Sequence, residues 1–294
     1  MTTVDTAPVV RVLVIGYGAM GSGIAVSFAR AGFATTVLSR DPDRHGTLPH
    51  GITAVAEPPT QPPDLIIESV PEDMATKIAT FRALEDAYGS GPEGPILATN
   101  TSGLPIEEIA AALGARERFL AAHYMQPADT LPMLEVARLP ETRDDVLART
   151  VDALERSGKQ VIVLNKPITG FLINRLQHAI LHEAYYLIES GVCSVEDVDR
   201  FARTLFGPRL CITGLIEQKD LSGLDVHALA QRSIVPALHH GAAPSRLLQD
   251  KYDAGDLGAK TGRGFYDWRD RDVEAVRREA KRKLEDLIAY LDAM

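Results

Sequence analysis

Cysteine is scarce in this sequence, which carries only Cys193 and Cys211 among its 294 residues. Their spacing suits neither a disulfide framework nor a zinc site, so a disulfide-stapled domain is excluded and no metal is expected. We predict that both side chains are buried apolar thiols. The lack of a disulfide framework fits a reducing, cytoplasmic setting.

Long apolar runs and an excess of positive charge are also missing. No apolar stretch approaches the ~20 residues that a membrane helix needs. The formal net charge is −9, from 31 basic and 40 acidic residues. Such a balance argues against nucleic acid or a membrane surface as a partner. The length of 294 residues and the 45% hydrophobic content instead predict a globular chain with about two domains.

What the sequence does contain, close to its start, is a strand, a glycine turn and a helix in immediate succession. Residues 9–15 read VVRVLVI, a short run rich in β-branched residues that is typical of a buried strand. Residues 16–21 read GYGAMG, and a helix-compatible stretch continues to Ala31. This order is the context in which the G-x-G-x-x-G pattern indicates dinucleotide binding.

Each glycine has its own physical task in such a turn. Gly16 permits the tight turn, Gly18 lets the backbone approach a pyrophosphate, and Gly21 lets the helix pack close to the strand. The helix N-terminus offers free N–H groups and a positive dipole end to the phosphates. The residues predicted to bind the pyrophosphate are Gly16, Gly18, Ala19, Met20 and Gly21.

The end of the second predicted strand, residues 34–39, bears on the choice of cofactor. An acid at this place usually binds the ribose 2′-hydroxyl of NAD. Here the strand ends in Ser39, and Arg40 follows. Because a small hydroxyl and a guanidinium can bind a 2′-phosphate that a carboxylate would repel, we predict a preference for NADP(H), with NAD(H) as the alternative. In that alternative Arg40 stacks on adenine or faces solvent, and Asp41 binds the ribose.

Strands and helices alternate through the first half of the chain, and helices alone follow. The further predicted strands are residues 52–55, 64–70, 95–100, 119–124, 133–137 and 160–164. The later helices are predicted at residues 172–189, 195–206, 226–239, 246–254 and 272–291. The pattern predicts an α/β fold, with a doubly wound, Rossmann-type domain over residues 1–167 and an all-helical domain over residues 168–294.

Polar side chains stand at several predicted strand ends, where a doubly wound sheet binds its ligands. Asn100 and Ser102 follow one strand, and His123 lies near the end of another. Glu135 lies inside an apolar strand, where a carboxylate needs a partner. Asn174 comes at the start of the first long helix. Each has a structural alternative as a helix cap, an ion pair or a surface residue, but the combination favours a catalytic site.

Further segments join these residues in a single order along nearly the whole chain. They are GYGAMGSGIA (16–25), ESVPEDMATK (68–77), NTS (100–102), TGFLINRL (169–176), EA (183–184), DLSGLDV (220–226) and LGAKTGRGFYD (257–267). In this pattern the sequence resembles the L-3-hydroxyacyl-CoA dehydrogenases and their relatives that act on free 3-hydroxy acids, such as L-gulonate and L-carnitine dehydrogenases.

The resemblance implies an NAD(P)-dependent oxidoreductase that interconverts a 3-hydroxy acid or 3-hydroxyacyl substrate and its 3-keto form. It implies that His123 exchanges a proton with the substrate hydroxyl and that Glu135 holds the imidazole. Ser102 and Asn174 would bind substrate oxygens. The resemblance also implies a homodimer formed through apolar faces of the C-terminal helices. The residues that it places against the cofactor are Glu72, Lys77 and Asn100.

The chain departs from the acyl-CoA enzymes of this group at two places. Those enzymes carry a long helical hairpin after the second strand, whereas residues 40–63 are rich in proline and too short for a helical pair. They usually read His-Phe-Phe-Asn-Pro, whereas residues 123–127 read HYMQP and Pro132 precedes Glu135. Both departures favour a small, free 3-hydroxy acid as the substrate.

Three alternatives to this interpretation exist. The first is a thioester-specific enzyme such as a 3-hydroxybutyryl-CoA dehydrogenase. The second is the lysine-using group of β-hydroxyacid dehydrogenases, and the third is a dinucleotide-binding protein without catalysis. The joint presence of Ser102, His123, Glu135 and Asn174 argues against the second and third.

Overall fold

A computed structural model of the chain describes residues 7–294. The first six residues, which belong to the predicted domain 1–167, lie outside the described part. The chain separates into two compact units, one ending at Arg175 and the other spanning Leu176–Met294. The division falls a few residues beyond the predicted domain boundary at residues 167–168, which stays a prediction.

The strands of the first unit form one sheet. In chain order they are β1 (Arg11–Ile15), β2 (Ala34–Leu38), β3 (Thr53–Val55), β4 (Leu65–Glu68), β5 (Ile96–Thr99), β6 (Phe119–Tyr124), β7 (Met133–Arg138) and β8 (Gln160–Leu164). Across the sheet their order is β3-β2-β1-β4-β5-β6-β7-β8. The order reverses at β1, which is the point where doubly wound sheets bind their ligands. The predicted α/β, doubly wound fold is confirmed.

Helices cover both faces of this sheet. They are α1 (Ala19–Arg30), α2 (Met74–Tyr88), α3 (Ile106–Ala111), α4 (Asp144–Arg156) and the start of α5 (Phe171–Glu189). Alternate residues of β1 enter two apolar clusters: Val12 and Val14 pack in the cluster that contains residues of α1 and α4, whereas Leu13 and Ile15 pack in the cluster of α2 and α3. The strand is therefore buried on both faces, as its unbroken apolar sequence predicts.

The neighbours β6 and β7 are antiparallel, unlike the other neighbouring pairs of the described sheet. The chain passes from β6 to β7 through residues 125–132, a connection too short for the crossover that a parallel neighbour requires. In the resulting register His123 lies directly opposite Glu135. Because opposite residues of a pair project to the same face, their side chains meet.

The second unit is helical among its described residues. Besides the rest of α5, it contains α6 (Val195–Phe201), α7 (Gly207–Thr213), α8 (Glu217–Ser222), α9 (Leu224–Ile234), α10 (Arg246–Asp253) and α11 (Val273–Asp292). A π-helical turn joins α6 to α7. The helices α7 and α8 were not predicted; they are short, and a glycine follows each of them. The helix predicted at residues 226–239 gives way to a 3₁₀ turn after Ile234, because Pro236 cannot continue the α-helical ladder.

The prediction that both cysteines are buried is wrong, because Cys193 is half-buried and Cys211 is exposed.

None of the helices in residues 7–294 combines the length and the apolar character that a membrane crossing requires.

Candidate active site

The glycine turn after β1 has the shape of a phosphate cradle. Gly16 has a φ of +90°, which favours glycine, and a Cβ on Gly21 would lie 2.1 Å from the carbonyl oxygen of Gly16. A Cβ on Gly18 would meet no protein atom within 4 Å. Gly18 is also the N-cap of α1 and provides no side chain to cap it. The N–H groups at this helix start, which include those of Ala19, Met20 and Gly21, therefore suit an anion such as a pyrophosphate.

The end of β2 carries the residues predicted to determine the preference between NADP(H) and NAD(H). Ser39 is half-buried, and its Oγ lies 2.8 Å from Nε2 of His45. The ring of His45 also lies 5.0 Å from the ring of Tyr17, a residue of the glycine turn. Arg40 is exposed, and Asp41 accepts a long hydrogen bond of 3.4 Å from the N–H of Arg44. Nothing in the sequence pattern had indicated His45.

A buried ion pair lies beneath the ends of β4 and β5. Nζ of Lys77 is 2.8 Å from Oε1 of Glu68, and neither side chain is exposed. Glu68 also accepts hydrogen bonds from the Thr99 hydroxyl and the Val70 N–H. Burial raises the pKa of Glu68, while Lys77 and these hydrogen bonds oppose the rise. Lys77 further donates to the carbonyl of Asn100, so it holds the strand ends in place. Its predicted contact with the cofactor stays a prediction.

Glu72 anchors the loop that carries Ser102. Its Oε1 accepts hydrogen bonds from the Thr101 hydroxyl at 2.5 Å and from the N–H groups of Ser102 and Gly103 at 2.8 and 3.1 Å. Burial by itself would raise the pKa of Glu72, but these hydrogen bonds outweigh it and lower the pKa. The carboxylate therefore stabilises the loop, while Ser102 remains exposed.

Two asparagines tie neighbouring elements of the site together. Asn100 accepts from the N–H of Tyr124 through Oδ1 at 3.1 Å and donates to the hydroxyl of Ser69 through Nδ2 at 3.3 Å. It thus links β5 to the end of β6 and to the segment after β4. Asn174 donates through Nδ2 to the carbonyl of Ser102 at 3.3 Å. The structure therefore brings Ser102 and Asn174 together, and their binding of substrate oxygens stays a prediction.

His123 and Glu135 form a buried pair across β6 and β7. Nδ1 of His123 lies 2.9 Å from Oε2 of Glu135, and the two residues are 2% and 1% exposed. The other carboxylate oxygen accepts from the N–H groups of Leu172 and Ile173 at 2.7 and 3.1 Å. With Nδ1–H donated to the carboxylate, Nε2 of a neutral imidazole is left as a hydrogen-bond acceptor.

The predicted residues thus fall into three neighbouring groups at the carboxyl ends of the first unit's parallel strands. The glycine turn and Ser39 follow β1 and β2, while Glu72 and Asn100 follow β4 and β5. Ser102, His123, Glu135 and Asn174 form the third group. Sequence reasoning missed Glu68, although a carboxylate in the apolar run LIIE was a usable signal. It also missed Phe171, whose ring lies on the imidazole of His123.

The chain matches known proteins over both units. The sequence model described as "3-hydroxyacyl-CoA dehydrogenase, NAD binding domain" matches residues 11–61 and 59–167. The model described as "3-hydroxyacyl-CoA dehydrogenase, C-terminal domain" matches residues 170–268. A 3-hydroxybutyryl-CoA dehydrogenase from Mycobacterium tuberculosis is 33% identical over 288 residues, which cover 87% of this chain and 97% of the relative.

Two solved structures extend these findings to the backbone. The 3-hydroxyacyl-CoA dehydrogenase from Archaeoglobus fulgidus has a TM-score of 0.69 at 28% identity, covering 95% of this chain and 99% of its own. A 5-formyl-3-hydroxy-2-methylpyridine 4-carboxylic acid 5-dehydrogenase, described as an NAD⁺-dependent dismutase, has a TM-score of 0.88 at 26% identity. That match covers 97% of this chain and 99% of the other.

Proposed function

This chain belongs to the 3-hydroxyacyl-CoA dehydrogenase family, and we propose that it interconverts a small, free 3-hydroxy acid and its 3-keto form. Membership makes the protein an NAD-dependent oxidoreductase that acts on a CH–OH group, so the predicted family and enzyme class are confirmed. The substrate and the roles of individual residues are proposals, which rest on the geometry of the first unit.

In the proposed reaction His123 moves the proton. Nε2 accepts the proton of the substrate hydroxyl during oxidation and returns it during reduction, as a general base and then a general acid. Glu135, 2.9 Å from Nδ1, holds the ring and stabilises the imidazolium that forms. Ser102, on the loop that Glu72 holds, and Asn174, on α5, bind the substrate oxygens. When bound, the nicotinamide supplies the hydride acceptor or donor.

The observation that carries the free-acid proposal is the segment between β2 and β4. It contains two 3₁₀ turns, Asp43–His45 and Pro49–Gly51, and the short strand β3, but no pair of α-helices. The hairpin that helps to cover CoA in the acyl-CoA enzymes therefore has no counterpart among these described residues. The two matches of the NAD-binding domain model also meet here, at residues 59–61. The pyridine carboxylate enzyme with a TM-score of 0.88 supports the same proposal, because the compound in its name is a free carboxylic acid.

A CoA thioester is the second candidate substrate. It is favoured by the 33% identity to a 3-hydroxybutyryl-CoA dehydrogenase, because the match covers 97% of the relative's length. The proton-transfer chemistry would be the same, because the reacting 3-hydroxyl group is shared. Only the recognition of the remote part of the substrate would differ.

NAD(H) is the cofactor that the comparisons support, and they do not support the predicted preference for NADP(H). The residues at the end of β2 support the hypothesis that NADP(H) also binds. Ser39 stands where an NAD-specific acid is usual, and the exposed Arg40 follows it. We propose that these two residues allow a 2′-phosphate to bind, so that the enzyme accepts NADPH as well as NADH.

A second copy of the chain is the partner that we propose for the helical unit. Among its described residues only Ala184 is buried, and many large apolar side chains are exposed. They include Ile180, Ile212, Ile216, Leu229 and Ile234. Exposed apolar surface of this extent is typical of an interface. Analytical ultracentrifugation tests the homodimer, and a folded monomer at micromolar concentration would contradict it.

The substrate proposal is tested by following the absorbance of the reduced nicotinamide. Purified enzyme is mixed with acetoacetyl-CoA or with free 3-keto acids, each with NADH and with NADPH. Turnover of free acids alone supports the proposal, whereas turnover of the thioester alone would assign the chain to the second candidate. His123→Ala is expected to lose turnover but keep its affinity for the cofactor in a fluorescence titration. An equally active variant would contradict the role of His123.

A further inference from the structure

The side chain of Phe171 lies on the imidazole of His123. The ring centroids are 4.5 Å apart and the ring planes differ by 29°. Phe171 is 3% exposed and His123 2% exposed, so the contact is sealed from solvent. The stack lies within the first unit, which ends at Arg175.

The backbone of Phe171 has a conformation that its side chain does not favour. Its φ is +50°, in the left-handed region that bulky residues rarely adopt. Such outliers persist only where the surroundings fix them, and they concentrate at functional sites. Packing alone would not require this conformation, because an apolar ring can fill a core from an ordinary backbone.

Glu135 helps to fix the backbone at this point. Its Oε1 accepts the N–H groups of Leu172 and Ile173, the two residues that follow Phe171. The N–H of Phe171 itself donates to the carbonyl of Ile168 at 3.0 Å. One carboxylate therefore holds the edge of the imidazole through Oε2 and the segment that carries Phe171 through Oε1.

We propose that Phe171 is a positioning residue for His123. Its ring fixes the plane of the imidazole and shields one face from water, while Glu135 holds the Nδ1 edge. Nε2, which bonds to none of the residues that the structure describes, is then presented to the substrate hydroxyl. An aromatic face also stabilises the imidazolium when the proton is transferred. This inference rests on the proposed function of His123.

The kinetic experiment compares Phe171→Leu with Phe171→Tyr, which keeps the ring. Phe171→Leu is expected to lower kcat about 10- to 100-fold, because small misplacements of a reacting group are costly. KM and the affinity for NADH are expected to stay near the values of the parent enzyme. Phe171→Tyr is expected to retain most of the kcat of the parent enzyme. A Phe171→Leu enzyme with the kcat of the parent would overturn the inference.

The matched control is Phe81→Leu in the same apolar cluster. Phe81 is fully buried on α2 and packs edge-to-face against Phe119. Phe81→Leu is expected to lower Tm without lowering kcat, which separates a loss of packing from a loss of positioning. If both variants lose kcat in proportion to Tm, Phe171 has only a structural role and the inference is wrong.

An NMR measurement tests the placement without any substrate. In protein with labelled histidine, the ring signals of His123 are identified by their absence in His123→Gln. Removal of the Phe171 ring current in Phe171→Leu is expected to shift these signals, and Phe81→Leu is expected to leave them in place. Unshifted signals would overturn this inference alone. Absence of turnover in the parent enzyme with every acid and thioester would instead overturn the proposed function.

Discussion

Glu135 contacts His123 with one carboxylate oxygen and the start of α5 with the other. Oε2 lies 2.9 Å from Nδ1 of the imidazole, and Oε1 accepts the N–H groups of Leu172 and Ile173. A carboxylate at a helix N-terminus is also stabilised by the helix dipole. The Glu135 carboxylate, which holds His123, thus also fixes the start of α5, where Phe171 and Asn174 lie.

These two contacts predict different effects for two substitutions of Glu135. In Glu135→Gln the side-chain carbonyl can accept the N–H groups of Leu172 and Ile173 only if the amide NH₂ faces His123. The NH₂ would then donate to Nδ1, so the proton of the neutral imidazole would move to Nε2. We therefore expect kcat to fall by up to about 10⁴-fold, the effect of a wrong tautomer elsewhere. Glu135→Ala is expected to lose kcat and also about 1–3 kcal/mol of unfolding free energy for each N–H left unpaired. Steady-state kinetics and urea unfolding measure both, and a Gln variant within tenfold of the parent would contradict the tautomer argument.

The glycine turn predicts that Gly18→Ala loses affinity for NADH, whereas Gly21→Ala loses stability. A Cβ on Gly18 meets no protein atom within 4 Å, so Tm is expected to stay unchanged while NADH binding weakens at least about tenfold. A Cβ on Gly21 lies 2.1 Å from the carbonyl oxygen of Gly16, so the fold itself is expected to lose about 1–3 kcal/mol or more. Thermal melts and fluorescence titrations separate the two effects. Unchanged NADH affinity in Gly18→Ala would contradict the assignment of the cradle.

The lowered pKa of Glu72 predicts a loss of stability in acid. A carboxyl group with a lowered folded-state pKa contributes stability above its unfolded pKa, about 4.3 for glutamate, and loses it as pH falls through the folded-state value. Parent and Glu72→Gln are therefore expected to differ in unfolding free energy near pH 7 and to converge below about pH 4. Thr101→Val removes one of the donors and is expected to give a smaller difference of the same sign. Urea unfolding across pH measures this, and a difference that grows in acid would show that the sign is wrong.

The end of β2 predicts how cofactor use responds to charge. Ser39→Asp places a carboxylate near the expected 2′-phosphate, so kcat/KM with NADPH is expected to fall at least about tenfold relative to NADH. Arg40→Ala is expected to lower the NADPH-to-NADH ratio as well, because it removes the guanidinium. Parallel assays with both cofactors measure the ratio. If neither substitution changes it, Ser39 and Arg40 do not face a 2′-phosphate.

Local sequence predicted most of the first unit. Apolar, β-branched runs located the strands, because a strand buried on both faces has no polar side to interrupt it. Glu135 was noticed for the same reason, as a charge in an apolar strand. The short helices α7 and α8 were missed because six or seven residues are too few to show a helical periodicity.

Sequence alone determined that this chain forms a dinucleotide-binding α/β domain followed by helices, because local patterns of glycine and apolar residues specify these elements. Only the tertiary structure decided which side chains meet. The antiparallel return of β7 sets His123 opposite Glu135, and a shift of one residue in that register would turn Glu135 to the other face. The stack of Phe171 on His123 joins residues 48 positions apart by number. Such contacts depend on strand register and backbone conformation, which no local periodicity encodes.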